Sequence, residues 1–538
     1  MSVFQSKINL VSDGCVQNRA DMLALVDKMR GLEARAVARS EQRRAVFDKR
    51  GQLSPRERLA ALLDPGMPFL ELYNMASYLV DDPNPETSIP GGSVILGIGY
   101  VSGVRAMVFV DDAGINAGAM TGKTVTKALG AVEIAQKQKL PFIHLVESAG
   151  ANLMSYTVEL WAHGGGMFAG LAKLSAQGLP VITVLHGAST AGGAYQPGLS
   201  DYVIGVKGNG MAMLAGAALV YAATGEVAQD ADLGGAEMHA EVTGLVDYLA
   251  EDDAHGIEIA RDVVAGLGWD TPLPPPPTYA EPVLSPDDIA GVVPVDYRKP
   301  YDVREVAARL VDGSLLRDFK PGYGPATVCL QGHILGQPVG IIGNNGPLDP
   351  DGATKVTHFL QLLDQAGTSV IFLNNTTGFM VGTDYERAGM IKHGSKMIQA
   401  VTNLRGAKIS LYIGASFGAG NYGMCGYAFG PDFLLTWPNA MTGVMGGEQA
   451  ALTMEHVARR TAARKGADVD EDRLAKQRAG ITAHFDGQSD AFYTSGHMLD
   501  HGMIDPRDTR RVLGFCLQTC AEARARSLNP NSFGVARP

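Results

Sequence analysis

The sequence predicts an α/β protein in which one domain fold occurs twice in tandem. The first observation is a repeated phrase, GASTAGGAY at Gly187–Tyr195 and GASFGAGNY at Gly414–Tyr422. Each phrase follows an apolar run rich in β-branched residues. A buried strand that runs into small residues brings its backbone close to a ligand.

Other landmarks recur at nearly the same spacing as the two phrases. Gly150 corresponds in this way to Gly378, and Gly216 corresponds to Gly446. Strand–glycine–helix units recur in many α/β proteins, which is the alternative explanation for the similarity. Three landmarks with nearly constant spacing favour duplication of a whole domain.

The second observation is that apolar runs alternate with helical patterns in both halves. In the first half we predict strands at Ala106–Asp111, Phe142–Glu147, Val181–His186 and Tyr202–Val206, and helices at Val125–Lys139 and Gly166–Ala176. In the second half we predict strands at Val339–Gly343, Val370–Asn374, Lys408–Ile413 and Phe433–Trp437, and helices at Ala353–Gln365 and Gly389–Leu404. This alternation predicts mainly parallel sheets with crossover helices. Ligands of such sheets bind at the carboxyl ends of the strands, where the glycine phrases lie.

The third observation is a proline run, TPLPPPPT at Thr271–Thr278, which can form neither a helix nor a central strand. We interpret it as an extended linker. The predicted domains therefore cover residues 1–272 and 279–538.

Composition limits the function classes. The chain has 538 residues, of which 46% are hydrophobic and only 19% charged, which indicates much surface buried in subunit contacts. Its net charge of −11 argues against a nucleic-acid partner. The basic stretch Arg30–Arg58 is interpreted as a solvated helix, with a docking surface as the alternative.

Several features predict a cytoplasmic location. The five cysteines form no CxxC pair, and their odd number and wide spacing fit a reducing compartment. The first residues lack the pattern of a signal peptide. No run reaches the roughly 18 apolar residues of a membrane span, so no membrane partner is expected.

The glycine phrases predict two anion-stabilising pockets. An oxyanion hole needs backbone N–H groups aimed at a developing negative oxygen, and small side chains that admit the ligand. Ala191–Ala194 and Gly418–Gly420 meet both needs, and Ser148–Gly150 and Thr377–Phe379 offer a second donor in each half. The alternative is tight packing of helix on sheet, which also selects Gly and Ala.

Other catalytic signatures are missing from the sequence. It contains no GxxxxGK[ST] phosphate loop and no HExxH pair, and no metal site is predicted. His144 and His186 lie inside apolar strands and are expected to be core residues. His163, Glu147 and Glu448 lie near glycine phrases, and the two glutamates are candidate general bases.

Specific motifs then carry a family resemblance across nearly the whole chain. They include GQLSPRERLAALLDPG (Gly51–Gly66), SAQGLPVITVLHGASTAGGAYQP (Ser175–Pro197), DLGGAEMH (Asp232–His239), GFMVG (Gly378–Gly382), GAGNYGMCG (Gly418–Gly426) and VMGGEQAA (Val444–Ala451). The chain resembles the carboxyltransferase β subunits of biotin-dependent acyl-CoA carboxylases. The last three motifs are similar to the methylcrotonyl-CoA and geranyl-CoA branch.

The resemblance implies two crotonase-like domains and a hexameric β core, with active sites where the N-half of one subunit meets the C-half of another. It implies that the N-half receives the acyl-CoA and the C-half receives carboxybiotin. The implied catalytic backbone groups are Gly192 and Gly193 for the thioester, and Gly418 and Ala419 for biotin. The implied substrate-binding residues are Ala149, Gly150, Gly166, Ala169, Ala191, Ala217 and Ala218, and the biotin-side residues are Thr377, Gly378, Phe379 and Gly420.

The resemblance also implies the partners. The chain contains no AMKM biotinyl-lysine motif and no ATP-binding signature, so ATP use and the covalently carried biotin are expected on a separate α subunit, in an α6β6 holoenzyme. The family uses no dedicated protein acid–base pair, because biotin itself accepts the substrate proton after releasing CO₂. Coenzyme A enters as part of the substrate.

Two departures from the methylcrotonyl pattern bear on the substrate. This chain has GGGMFAG (Gly164–Gly170) in place of a bulky FGRIFYN stretch, and AGAALV (Ala215–Val220) in place of AGPPLV. Each extra methylene bound in an apolar pocket contributes roughly 0.8 kcal/mol. We therefore predict geranyl-CoA, carboxylated on the methyl carbon attached to C3 during acyclic terpene catabolism.

Three alternatives stay open at this stage. The chain could serve 3-methylcrotonyl-CoA in leucine catabolism. It could be a hydratase or isomerase of the crotonase type, which would use a carboxylate such as Glu147 and need no biotin. It could also be a non-catalytic scaffold, although a scaffold would not need intact glycine phrases in both halves.

Overall fold

The computed structural model describes residues 2–152, 156–269, 273–274, 277–466 and 468–535. Its strands are β1 (Ser2–Val3), β2 (Leu70–Glu71), β3 (Val94–Val101), β4 (Val104–Asp111), β5 (Phe142–Ser148), β6 (Val181–Thr190), β7 (Tyr202–Val206), β8 (Met211–Met213), β9 (Tyr248–Ala250), β10 (Leu315–Asp318), β11 (Thr327–Ile334), β12 (Gln337–Asn344), β13 (Ser369–Thr376), β14 (Lys408–Phe417), β15 (Phe433–Thr436) and β16 (Met441–Gly443).

The α-helices range from one turn to 29 residues. They are α1 (Asp13–Glu41), α2 (Arg44–Lys49), α3 (Pro55–Leu62), α4 (Gly122–Lys137), α5 (Val158–Ala176), α6 (Tyr195–Gly198), α7 (Ala217–Thr224), α8 (Asp230–Gly234), α9 (Ala236–Met238), α10 (Asp253–Gly266), α11 (Ile289–Val292), α12 (Val303–Leu310), α13 (Pro350–Ala366), α14 (Thr383–Arg387), α15 (Met390–Asn403), α16 (Gly418–Gly423), α17 (Gly447–Lys465), α18 (Glu471–Asp486), α19 (Ala491–Gly496) and α20 (Thr509–Ala525).

The chain forms two compact units, here called the N-unit and the C-unit. The N-unit comprises Gly31–Pro274, Gly496–Met498 and Thr519–Pro538, and the C-unit comprises Met1–Arg30, Pro275–Ser495 and Leu499–Gln518. Both ends of the chain therefore join the unit formed by the other half, unlike the predicted domains 1–272 and 279–538. Strand β1 accounts for part of this exchange because it pairs with β10 of the C-unit. Of the predicted linker, Thr271, Pro272, Pro275 and Pro276 lie outside the described residues.

Each unit contains one eight-stranded sheet of the same design. The N-unit sheet has the order β2-β3-β4-β5-β6-β7-β9, with β8 paired to β6, and the C-unit sheet has the order β1-β10-β11-β12-β13-β14-β15, with β16 paired to β14. An antiparallel hairpin, β3–β4 or β11–β12, leads into parallel strands joined by crossover helices. The predicted duplicated α/β fold is confirmed, although the hairpins themselves were not predicted.

The predicted strands and helices are found, with one informative difference. Strand β6 runs to Thr190 and β14 runs to Phe417, four residues beyond the predicted ends. These extensions pair with β8 and β16, short strands that sequence patterns did not indicate. Each glycine phrase therefore begins inside a strand, and only its second half forms a turn.

Local sequence explains why the elements begin and end where they do. All seven residues of β5 are buried, as expected for a parallel strand covered on both faces. Helix α13 begins at the N-cap Asp349, has Pro350 in its first turn and ends at the left-handed Gly367. Among the described residues, no helix is both long enough and apolar enough to cross a membrane.

Candidate active site

Each glycine phrase turns from the end of a strand directly into a short helix. In the N-unit, β6 ends at Thr190 and a short 3₁₀ helix, Ala191–Ala194, follows. In the C-unit, β14 ends at Phe417 and α16 begins at Gly418. We call these the N-turn (Ala191–Ala194) and the C-turn (Gly418–Gly420).

Both turns begin with a left-handed residue at the equivalent position. Ala191 has φ = 54° and Gly418 has φ = 56°. A left-handed residue followed by helical residues directs successive N–H groups into one concave surface, which suits an anion. A non-glycine residue in this conformation costs roughly 1–2 kcal/mol, so Ala191 is a strained position held by its surroundings. Such strain is typical of functional sites.

A second segment lies against each turn. A Cβ at Gly150 would be 3.2 Å from the Thr190 carbonyl oxygen, and a Cβ at Gly420 would be 2.7 Å from Gly378 Cα. Glycine is required at these positions because the two backbones pass so close together. The structure thus brings together the paired segments that the sequence singled out, within each unit.

The hydrogen bonds of the second segment differ from the expected pattern. The Ala149 N–H donates to the Ala117 carbonyl at 3.2 Å, and the Gly150 N–H donates to Ser148 Oγ at 3.2 Å. In the C-unit the Gly378 N–H donates to Thr376 Oγ1 at 3.3 Å. These three amides are therefore already hydrogen-bonded within the protein and are not free to bind a ligand at the two turns.

The next residue in each loop offers a better donor. Ala151 bridges Met120 in parallel fashion, and Phe379 bridges Leu348 in the same way. Met120 pairs with the carbonyl of Gly150 and the N–H of Asn152, the residues on either side of Ala151. Leu348 pairs in the same way with the residues on either side of Phe379. The N–H groups of Ala151 and Phe379 therefore face away from Met120 and Leu348. Sequence reasoning missed Ala151, and only its equivalence to Phe379 in the second half could have indicated it.

The surroundings of the N-turn explain where the remaining predicted substrate residues lie. The Phe168 ring of α5 lies over the turn, since a Cβ at Gly192 would be 3.5 Å from Phe168 Cζ. Phe168 also meets the Tyr195 ring edge to face, at 6.0 Å between centroids. On the same helix Gly166 and Ala169 are exposed, but a Cβ at Gly166 would lie 3.0 Å from Leu129 Cδ2 of α4.

Ala217 and Ala218 lie in the first turn of α7, which follows β8. Because β8 pairs with Ala188–Thr190, this first turn comes directly after the strand beside the N-turn. On the biotin side, Thr377 and Ala419 are exposed while Gly378 and Gly420 are buried. The small residues predicted for both pockets therefore lie on, or next to, the elements that form the two turns.

A network of buried charges lies beside the start of the first glycine phrase. Arg58 of α3 donates to Glu147 Oε2 at 2.7 Å and to Asp253 Oδ2 at 2.8 Å. His186 Nδ1 lies 2.9 Å from the other oxygen of Asp253. Burial, reinforced by the Arg58 charge, lowers the pKa of His186 and keeps the ring neutral. Although burial alone would raise the pKa of Asp253, its hydrogen bond with His186 and the Arg58 charge hold that pKa below the usual value.

This arrangement bears on the candidate acid–base residues. Glu147 is ion-paired with Arg58 and 5% exposed, so its carboxylate is not a free general base. Glu448 is exposed and 3.5 Å from Arg478, and His163 is exposed on α5. His144 is buried and contacts Asp111 at 3.2 Å, as expected for a core histidine.

The C-turn is held by neutral groups instead. Ser416 Oγ donates to Asn374 Oδ1 at 3.0 Å, and Asn421 Nδ2 donates to Ser416 Oγ at 2.8 Å. Asn421 also reaches the Tyr412 hydroxyl at 3.0 Å, and burial raises the pKa of that phenol well above its usual value. Among the described residues, no group of three His, Cys, Asp or Glu side chains is placed to hold a metal ion.

Comparison with known proteins identifies the fold and activity class. The sequence profile of the carboxyl transferase domain family matches residues 48–534. The chain belongs to the carboxyl transferase family. This carboxyltransferase has the crotonase-like fold in both units, as the resemblance implied.

Three relatives illustrate the similarity. A probable biotin-dependent acyl-CoA carboxylase β2 subunit of Mycobacterium tuberculosis is 46% identical over 91% of each chain. The biotin-dependent 3-methylcrotonyl-CoA carboxylase β1 subunit of the same organism is 40% identical over 94% of this carboxyltransferase and 95% of the relative. The crystal structure of the P. aeruginosa geranyl-CoA carboxylase β subunit superposes with a TM-score of 0.93, at 47% identity and full coverage of both chains.

Proposed function

We propose that this carboxyltransferase moves a carboxyl group from carboxybiotin to the 3-methyl carbon of geranyl-CoA, in acyclic terpene catabolism. The observation that carries the substrate is the agreement over the full length with a geranyl-CoA carboxylase β subunit. The paired turns support the reaction, because moving a carboxyl group between two enolate-like carriers requires two anion-stabilising sites. The N-turn would receive the acyl-CoA and the C-turn would receive biotin.

The N-turn residues act on the thioester. The amides of Gly192 and Gly193, at the start of a short helix, would hold the thioester oxygen as negative charge develops. Removal of one donor from such a hole typically costs about 10²–10³ in rate. The Ala151 N–H, from the adjacent loop, is a third group that we assign to this pocket.

The C-turn residues fit a flat ring with a carbonyl oxygen. Gly378, Gly418 and Gly420 form a cradle in which added Cβ atoms would meet backbone, at 2.7 Å for Gly420 and 3.2 Å for Gly418. The amides of Gly418 and Ala419 would hold the ureido oxygen of biotin, and Thr377, Phe379 and Gly420 would border it. When bound, carboxybiotin supplies the carboxyl group and then the base that accepts the substrate proton.

Helix α5 supports the longer substrate. Gly165 and Ala169 leave no large side chain on the exposed face of the helix next to Phe168 or within the turn before it, whereas Gly164 and Gly166 face α4. Five additional carbons at roughly 0.8 kcal/mol each amount to about 4 kcal/mol of binding free energy. A pocket open at Ala169 would therefore favour geranyl-CoA over 3-methylcrotonyl-CoA.

The proposed assembly is a β6 core with biotin carboxylase and biotin carrier functions on a separate α subunit, in an α6β6 holoenzyme. Large apolar side chains exposed on both units support extensive subunit contacts. Trp161 is 70% exposed and Tyr221 60% exposed on the N-unit, and Ile391 is 75% exposed on the C-unit. No disulfide joins the five cysteines, all of which lie within the described residues, and this agrees with the proposed cytoplasmic location.

A second substrate has its own support. The relative named 3-methylcrotonyl-CoA carboxylase β1 subunit covers nearly the whole chain at 40% identity. 3-Methylcrotonyl-CoA, in leucine catabolism, is therefore the competing proposal for the acyl group. The reaction and the roles of the two turns are the same for both substrates.

The test is carboxylation by the chain co-purified with a biotinylated α subunit, supplied with ATP, Mg²⁺ and labelled bicarbonate. We expect geranyl-CoA to be carboxylated with a kcat/KM well above that of 3-methylcrotonyl-CoA. Turnover of 3-methylcrotonyl-CoA alone would show that this ester, rather than geranyl-CoA, is the substrate. Label incorporation into neither ester would contradict the proposed substrate class.

A further inference from the structure

One buried side chain lies between the end of β5, which leads into the Ala149–Ala151 loop, and the start of the first glycine phrase. Glu147 is the residue before Ser148 at the end of β5, so its backbone leads into the Ala149–Ala151 loop. Its side chain crosses β6 at the start of the glycine phrase, since a Cβ at Gly187 would be 2.5 Å from Glu147 Cγ. Glu147 is thus packed between the strand that leads into this loop and the strand that leads into the N-turn.

Arg58 anchors this carboxylate from behind. The arginine is fully buried and joins Glu147 to Asp253, which also accepts the Leu53 N–H at 2.9 Å. Asp253 in turn contacts His186, the last residue before Gly187. The network therefore links the end of β5, the start of the β6 extension and the helices α3 and α10.

The open side of Glu147 faces a small cavity of about 160 Å³. Arg50 reaches across it to Glu147 Oε1 at 3.4 Å, and its side chain is 54% exposed. Ala149 and Ala188 line the same cavity, which therefore borders the Ala149–Ala151 loop and the start of the first glycine phrase. Two arginines on opposite sides thus hold the Glu147 carboxylate.

The C-unit supplies an internal comparison. Asn375 occupies the position equivalent to Glu147 in the second half, and a Cβ at Gly414 would collide with Asn375 Oδ1 just as one at Gly187 would collide with Glu147. The fold itself therefore accepts a neutral amide at this position. Buried ion pairs seldom stabilise a fold more than apolar or neutral groups would. The charged version in the N-unit thus calls for a reason beyond stability.

We propose that Glu147 is a positioning residue for the acyl-CoA pocket. Its carboxylate, clamped by Arg58, holds the Ala149–Ala151 loop and the N-turn at the separation that the thioester oxygen needs. Charge-assisted hydrogen bonds are roughly twice as strong as neutral ones, so the clamp resists displacement when charge develops on the substrate. This inference rests on the proposed function, because it assigns the acyl-CoA to the N-turn.

The test compares Glu147→Gln with a matched control, Glu522→Gln, in the holoenzyme. Glu522 is also a buried carboxylate of the N-unit, paired with Arg105 at 3.0 Å. Arg105 lies at the start of β4, whereas Glu147 lies near the end of the parallel strand β5, so this ion pair is at the other end of the sheet. We expect Glu147→Gln to lower kcat at least tenfold while the KM for the acyl-CoA changes less than about twofold. The control should lower the thermal midpoint similarly and keep kcat within about twofold.

A kcat loss without a KM change indicates lost transition-state stabilisation, which a purely structural role would not produce. Equal kcat values for Glu147→Gln and Glu522→Gln would overturn the proposal, and so would a raised KM with kcat unchanged. If Glu147→Gln does not fold, Arg58→Lys is the deciding variant, because it keeps the positive charge but loses the guanidinium that bonds both Glu147 and Asp253. An unchanged kcat in Arg58→Lys would refute the proposed positioning role. Wild-type inactivity towards every acyl-CoA would instead refute the proposed function.

Discussion

The substitution Gly420→Ala tests the C-turn most severely. The added Cβ would lie 2.7 Å from Gly378 Cα and 3.1 Å from Gly378 C, whereas carbon atoms normally pack at about 3.5–4.0 Å. Both contacted atoms belong to the backbone, so no side-chain rotation can relieve the overlap. The two segments must therefore separate by about 1 Å, the shortfall between the built and the normal contact distance.

A displacement of about 1 Å at a catalytic pocket can reduce the rate about 10²-fold. We expect this loss in kcat for Gly420→Ala, with the KM for the acyl-CoA nearly unchanged because the N-turn is not altered. Overpacking should also lower the free energy of unfolding by about 1–3 kcal/mol. The assay is ATP-dependent carboxylation by the holoenzyme, together with thermal unfolding of the same preparation.

The equivalent substitution in the N-unit is the matched comparison. A Cβ at Gly193 would meet Ser189 Oγ at 3.0 Å, and this hydroxyl can rotate away. Gly193→Ala should therefore cost less stability and less kcat than Gly420→Ala. The steric reasoning would be refuted if Gly420→Ala retained kcat within threefold of the wild type, or if the two variants were equally impaired.

Three further predictions concern substrate choice and stability. Ala169→Tyr should abolish turnover of geranyl-CoA and spare turnover of 3-methylcrotonyl-CoA. The control Ala60→Tyr, at an exposed alanine of α3, should change neither rate. Equal loss of turnover with both esters would contradict the proposal that Ala169 leaves space for the longer acyl chain. Burial raises the pKa of Asp500 to about 7. Between about pH 4 and about pH 7 the folded state therefore keeps a proton on Asp500 that the unfolded state loses, so the free energy of unfolding falls as pH rises through this range. Asp500→Asn should remove this pH dependence. If the difference in melting temperature between Asp500→Asn and the wild type did not vary with pH, the raised pKa of Asp500 would be contradicted. Lys127→Met should lower the melting temperature by several degrees. The buried Val94 carbonyl, at 2.7 Å, and the part-buried Gly91 carbonyl, at 3.1 Å, would both lose the lysine as a donor, and a buried group left without its partner costs roughly 1–3 kcal/mol. An unchanged melting temperature would argue against this role.

Local patterns were sufficient to predict the parallel strands and the glycine turns. Runs such as Val181–His186 are largely apolar because both faces of the strand are covered, and the recurrence of Gly187 at Gly414 marks the duplicated site. The family motifs then added the roles of the two turns. These features depend on residues that are close in sequence or repeated at a constant spacing.

Features that depend on distant pairing could not be predicted. Arg58 and Asp253 are far apart in the sequence, and nothing near either one indicates their contact. The left-handed Ala191 was equally hidden, because alanine rarely adopts that conformation and only the equivalence to Gly418 suggests it. The inclusion of the first residues in the C-unit depends in part on the pairing of β1 with β10, two short strands without a distinctive pattern.

The division of labour between the two turns is tested most directly by a crystal structure of the subunit with an unreactive geranyl-CoA analogue and biotin. We predict that the thioester oxygen lies within hydrogen-bond distance of the Gly192 and Gly193 amides. The ureido oxygen of biotin should lie within the same distance of Gly418 and Ala419. A thioester bound at the C-turn, or biotin bound at the N-turn, would contradict the account.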